Sequence, residues 1–170
     1  SLDDIHNPFL MKDMDRAIER IELALGEGER ILVYGDYDVD GTTAVSLVYS
    51  FLAKFTDNID YYIPDRYGEG YGISYKGVDY AYENEISLII ALDCGIKANN
   101  KVDYANEKNI DFIICDHHRP SENLHSAIAI LDPKRDDCDY LYDELCSCGF
   151  GCKLIQVLSQ KNDFPFYDLL

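Results

Sequence analysis

Residues 30–41 read Arg-Ile-Leu-Val-Tyr-Gly-Asp-Tyr-Asp-Val-Asp-Gly. Residues 30–34 are an apolar run of the length and composition of a buried strand. Residues 35–41 are a glycine-bounded turn carrying three carboxylates, Asp36, Asp38 and Asp40. Thr42 and Thr43 follow where they can cap a helix whose body runs to about Phe55. Upstream, Met14, Ala17, Ile18, Ile21 and Leu25 recur at helical spacing within residues 11–25, and Gly26 and Gly28 stop that helix.

The same alternation continues towards the C-terminus. Residues 59–63 read as a strand stopped by Pro64, and residues 64–72 as a glycine-rich aromatic loop. A helix over 74–83 precedes an apolar strand over 87–92 that ends at Asp93. A helix over 99–108 precedes a strand over 111–115 that ends at Asp116. A short strand over 127–131, an acidic loop and a helix over 149–160 complete the pattern. Short apolar strands alternating with helices predict an α/β fold, a largely parallel sheet flanked by helices.

The 170 residues suffice for one domain with a real core, and 47% hydrophobic content argues against disorder. The net charge of -17 is opposite to that of a nucleic-acid-gripping surface, which neutralises phosphates with basic side chains. That charge suits a cation-binding domain, with any basic DNA-binding surface elsewhere. No run reaches membrane-span length, and Ser1-Leu2-Asp3-Asp4 has no signal-peptide pattern, so the expected location is cytoplasmic with no membrane contact. Six cysteines form no disulfide framework; Cys138, Cys146, Cys148 and Cys152 cluster, but not at zinc-ligand spacing, and read as reduced thiols.

Three strands therefore lead into chemistry: the first into Asp36, Asp38 and Asp40, another into Asp93, another into Asp116-His117-His118. In a parallel sheet these ends share one edge, where α/β ligand sites form. An extended conformation would put Asp36, Asp38 and Asp40 on one side of the chain. So many carboxylates repel one another unless solvated, paired, protonated or bound to cations. Carboxylates with imidazole suit manganese or magnesium, and two such ions roughly 3.5–4 Å apart generate hydroxide and clamp a phosphoryl group. Each element alone has a bland reading as a solvated turn or a helix cap; their joint placement carries the argument.

Asp116-His117-His118 after Phe112-Ile-Ile-Cys115 resembles the signature of DHH-family phosphoesterases. Gly35-Asp-Tyr-Asp-Val-Asp-Gly41 resembles that family's first motif and Leu92-Asp-Cys-Gly95 its second. Asn7-Pro-Phe-Leu-Met-Lys-Asp-Met14, Ile63-Pro-Asp-Arg66, Glu69-Gly-Tyr-Gly72 and Leu145-Cys-Ser-Cys-Gly-Phe-Gly-Cys-Lys-Leu154 resemble the RecJ-type branch. The resemblance implies a single DHH domain over residues 1–170 and two ions, Mn2+ or Mg2+. Asp38, Asp40, Asp93 and His117 would be ligands, with Asp93 bridging. Asp36 would bind or orient a metal-bound water, Asp116 would orient the imidazoles, and His118 would face the scissile phosphate. The implied reaction is 5′-to-3′ exonucleolytic hydrolysis of single-stranded DNA, in recombination and repair. Arg66 would meet a phosphate and Tyr67 or Tyr71 stack a base, against the alternative of an ordinary ordered loop; Lys97 is a similar candidate.

Two departures stand out. Tyr34 occupies a place where many small-substrate DHH proteins carry a metal-binding histidine. A fourth motif, supplying a further aspartate, is expected beyond Asp168-Leu-Leu170, as are a second lobe and nucleic-acid-binding domains. Among rivals, Asp38-Val-Asp40-Gly-Thr42 also fits the nucleophile motif of haloacid-dehalogenase-type phosphatases, with Asp38 attacking phosphorus, but this leaves Asp116-His117-His118 without a role. Gly68, Gly70 and Gly72 lack the spacing and position of a dinucleotide loop. Closer alternatives are a DHH enzyme for short oligonucleotides or cyclic dinucleotides, and a metal-free DHH scaffold.

Overall fold

The structure, a computed structural model, describes residues 6–121, 124 and 126–162. The expectations for residues 1–4 and 168–170 lie outside the described residues. A 3-10 turn at Pro8–Leu10 leads into α1, Met14–Glu27. This helix starts at Met14 rather than Met11 because Asp13 is left-handed, at φ 65°. The Asp13 carboxylate there pairs with Arg135 and accepts from the Ile130 amide. Gly26 lies inside the helix, and only Gly28, at φ 68°, ends it.

Five strands follow: β1 Arg30–Gly35, β2 Ile59–Tyr62, β3 Ile86–Leu92, β4 Asp111–Cys115 and β5 Ala129–Leu131. All pair in parallel, in the order β2-β1-β3-β4-β5. The fold class is thus the expected one. Four helices complete the fold: α2 Val39–Leu52, α3 Tyr75–Glu83, α4 Asn99–Glu107 and α5 Ser147–Lys161.

Strand residues alternate between two cores. Ile31, Val33, Leu88, Ile90 and Ile113 pack with α1, α2 and α5; Leu32, Tyr34, Ile89, Phe112 and Ile114 pack with α3 and α4. Both faces of the central strands are therefore apolar, which is why they read as continuous hydrophobic runs.

Other boundaries also differ from the sequence expectation, β5 starting at Ala129 rather than at residue 127. Helix α2 begins at Val39, inside the acidic turn, and is capped by Asp38, whose Oδ1 accepts from the Gly41 amide at 2.9 Å. Thr42 and Thr43 sit within the first turn and donate their hydroxyls back to carbonyls of Asp38 and Val39. The segment is therefore not extended, and Asp36, Asp38 and Asp40 do not share one side by alternation. Helix α2 ends at Leu52, and the chain turns through Phe55. Helix α5 begins at Ser147, two residues before the expected Gly149.

Candidate metal centre

The sheet register builds the site. Gly35 pairs with Leu92, Leu92 with Cys115, and Cys115 with Leu131. The next residue on each strand is an aspartate: Asp36, Asp93, Asp116 and Asp132, which are 1%, 2%, 1% and 0% exposed. Four neighbouring strands thus present a row of buried carboxylates along one edge. The row spans the point between β1 and β3 where the strand order reverses, the place for a ligand crevice in an open α/β sheet.

Asp93 sits at the centre of the cluster. Its backbone is left-handed, at φ 64°, and its amide donates to the Cys115 carbonyl, so strand β4 holds the turn. Asp93 Oδ1 lies 3.1 Å from His117 Nε2 and accepts from Ser147 Oγ at 2.7 Å. Burial, opposed in part by the Ser147 hydrogen bond and reinforced by the charges of Asp38 and Asp40, pushes its pKa up to about 6.

Two sets of ligand atoms converge, each within 4.8 Å: Asp36, Asp38 and Asp93, and Asp93, His117 and His118. Asp93 belongs to both. Burial also raises the pKa of Asp36, whose Oδ1 accepts from the Gly72 amide at 3.4 Å. Its Oδ2 is buried and has no partner among the described residues. A desolvated carboxylate oxygen without a donor, beside two further carboxylates and an imidazole, fits a hard divalent cation.

Asp116 binds the loop together. Its Oδ1 accepts from the amides of His117 and His118 and faces His118 Nδ1 at 2.7 Å, while its Oδ2 accepts from the Ile96 amide. It ties the two-histidine loop to the turn after β3 and fixes the ring of His118. The other ring nitrogen, Nε2, lies 3.3 Å from Tyr71 Oη.

Asp40 is placed differently from the other predicted ligands. Its carboxylate accepts from the amides of Ser147 at 2.8 Å and Cys148 at 3.1 Å, so it caps α5 from the first turn of α2. It lies 4.0 Å from His117 Nε2 and outside both converging sets. Arg66 lies over the Tyr37 ring at 5.3 Å, Tyr37 meets Tyr71 edge-on at 6.4 Å, and Tyr67 is 94% exposed. Tyr34 does not face this centre. Its side chain lies in the core under α3, where Oη donates to the Gly72 carbonyl and accepts from the Ser74 amide. All six cysteines are free thiols.

Ser147 and Asp132 were missed by sequence reasoning. Ser147 lies in a stretch singled out only for its resemblance, and a serine among cysteines and glycines carries no pattern. Asp132 precedes a proline and an acidic loop, the setting of an ordinary turn residue, although its register position repeats that of Asp116.

A family model described as "DHH family, N-terminal domain" matches residues 30–169. The chain belongs to the DHH family. The single-stranded-DNA-specific exonuclease RecJ of Bacillus subtilis (strain 168) is 41% identical over 166 residues, 98% of this chain and 21% of that protein. The RecJ exonuclease of Escherichia coli (strain K12) is 36% identical over 149 residues, 87% of this chain and 26% of that protein. A crystal structure of exonuclease RecJ bound to manganese superposes with a TM-score of 0.83 at 28% identity, covering 94% of this chain and 41% of that one. The DHH domain described here thus spans about a fifth to a quarter of the curated relatives it matches. Among its described residues no helix is long and apolar enough to cross a membrane.

Proposed function

We propose that this DHH domain is the metal-binding part of a RecJ-type exonuclease that hydrolyses single-stranded DNA from the 5′ end, in recombination and repair in the cytoplasm. The observation that carries the reading is the pair of converging ligand sets that share Asp93. Relatives that cover nearly all of this chain are single-stranded-DNA-specific exonucleases, and a superposable RecJ structure holds manganese.

On this reading Asp36, Asp38 and Asp93 would hold one divalent cation, Mn2+ or Mg2+, and Asp93 with His117 would help to hold the second. When bound, the ions supply Lewis acidity, polarising a phosphodiester and acidifying water. The chain's own groups do the rest. Asp116 fixes the ring of His118, which presents Nε2 towards the scissile phosphate with Tyr71 Oη beside it. Asp40 holds α5 against the centre and, with its Oδ2 4.0 Å from His117 Nε2, would lend a further carboxylate charge beside the second cation. Arg66, Tyr37 and Tyr71 form a cationic and aromatic track on which the strand is held and stacked.

The test is Asp93→Asn in the intact protein. Asparagine tolerates the left-handed backbone at this position and keeps one acceptor oxygen. Manganese-dependent release of mononucleotides should fall by on the order of a thousandfold, the upper end of what removing one preorganised electrostatic contact costs an active site. Metal-free thermal stability should not fall, because a buried charge is removed. Near-wild-type turnover would overturn the reading. Preference for dinucleotides over long single strands in a competition assay would favour the short-oligonucleotide alternative.

A further inference from the structure

Tyr71 reaches the centre from the connection between β2 and α3, which is neither helix nor strand and in which Gly70 and Gly72 are left-handed, at φ 84° and 76°. Towards the centre its contacts are long. Tyr71 Oη lies 3.3 Å from His118 Nε2 and 3.4 Å from the Asp93 carbonyl oxygen, and the Gly72 amide lies 3.4 Å from Asp36 Oδ1. Strong hydroxyl hydrogen bonds span about 2.5–3.0 Å, so these contacts do not by themselves fix a side chain that is 57% exposed. On the far side the contacts are short. Glu69 Oε2 accepts from Tyr62 Oη at 2.9 Å and from Ser74 Oγ, and its Oε1 accepts from the Asp65 amide at 3.0 Å. Two of these donors belong to the frame: Tyr62 ends β2 and stacks on Tyr34 at 5.3 Å, and Ser74 caps α3 through the Gly77 amide. Burial disfavours the Glu69 charge, but hydrogen bonds from Ser74, the Asp65 amide and Tyr62 hold its carboxyl below the usual range. Tyr71 is thus suspended between two anchors, Glu69 on one flank and the Gly72 carbonyl, held by Tyr34 Oη at 3.0 Å, on the other.

We propose that Glu69 is a positioning residue: it lies outside both cation-ligand sets and sets Tyr71 Oη against His118 Nε2 from behind. One carboxylate joins the end of β2, the start of the connection and the cap of α3, two residues before the tyrosine. The placement of Tyr71 stands on this geometry alone; its effect on turnover rests on the nuclease reading. A carboxylate that only stiffened the fold would have no effect specific to Tyr71.

The experiment pairs two measurements on the intact protein, with cooperative melting above the assay temperature showing that each variant folds. In the first, Glu69→Ala should lower kcat for manganese-dependent hydrolysis of single-stranded DNA roughly 10- to 100-fold, the usual cost of removing a group that orients an active-site side chain. Glu69→Gln, which keeps one acceptor and meets hydroxyls free to turn, should recover most of that loss. Added to Tyr71→Ala, Glu69→Ala should cost less than about twofold more, because the two residues act as one unit. The second measurement is fluorine NMR of fluorotyrosine-labelled protein in EDTA, with the Tyr71 signal assigned by Tyr71→Phe. Glu69→Ala should move that signal to the averaged position of a mobile ring while the Tyr34 signal stays. Tyr62→Phe, which removes one donor and keeps the ring stack, should move it in the same direction by less. An unmoved Tyr71 signal, or losses that simply multiply in the double variant, would overturn the proposal. Absent hydrolysis in the wild-type protein would instead remove the nuclease reading, and the Tyr71 signal would still decide whether Glu69 places that ring.

Discussion

Ser147 Oγ donates to Asp93 Oδ1 at 2.7 Å across 54 residues of sequence, joining the first turn of α5 to the loop after β3. Both side chains are buried. The carboxylate at the centre of the site is therefore oriented by a helix that lies outside the three acidic strand ends.

Ser147→Ala should weaken manganese binding about 10- to 100-fold, the usual cost of removing a partner that orients a ligand. Stability of the metal-free protein should drop by about 1–3 kcal/mol, since a hydrogen bond to a charged group is lost. Calorimetric titration with manganese, alongside thermal melts, measures both. Unchanged affinity would show that Ser147 only packs.

Asp40→Ala should destabilise the metal-free protein by about 1–2 kcal/mol, the scale of a lost helix cap, because the amides of Ser147 and Cys148 lose their acceptor. Hydrogen exchange at the first turn of α5 should rise with it. Exchange rates equal to wild type would place the cap elsewhere.

Asp132 predicts a pH dependence. Burial, reinforced by the charge of Asp116, pushes its pKa up to about 6 from a model-peptide value of 3.8. The folded protein then binds the proton more tightly than the unfolded chain does. Stability from this group is full below pH 3.8 and is lost as pH rises through 6. Asp132→Asn should remove that downward slope and raise stability at neutral pH by on the order of 2 kcal/mol. Chemical denaturation of both proteins at pH 5 and 7.5 checks the difference. A parallel slope in the two would contradict it.

Much of this was legible because a parallel sheet makes strand ends converge. Once the strands before Asp36, Asp93 and Asp116 were recognised from apolar runs, their meeting followed from topology alone. The conformation of Asp38 and Asp40 was not legible. An Asp-x-Asp-x-Asp run permits an extended turn or a capped helix, and tertiary packing of Gly41 decides between them. A Cβ at that position would lie 2.5 Å from the Asp36 carbonyl oxygen, so the close wrapping of Asp36 over the helix start depends on glycine. The direction of Tyr34 was also hidden. Strand alternation gives two faces, but only the Gly72 carbonyl, the Ser74 amide and the space over Gly77 identify the tyrosine's own niche.

The aligned row Asp36, Asp93, Asp116 and Asp132 restricts how this domain can diversify. Adding or deleting one residue within β3 or β4 would turn that strand's apolar faces inside out and carry its aspartate off the shared edge. Length changes in such lineages should therefore gather farther along the connections, beyond the residues that complete the centre (Asp40, His118), where new segments can reshape the rim without moving the ligands.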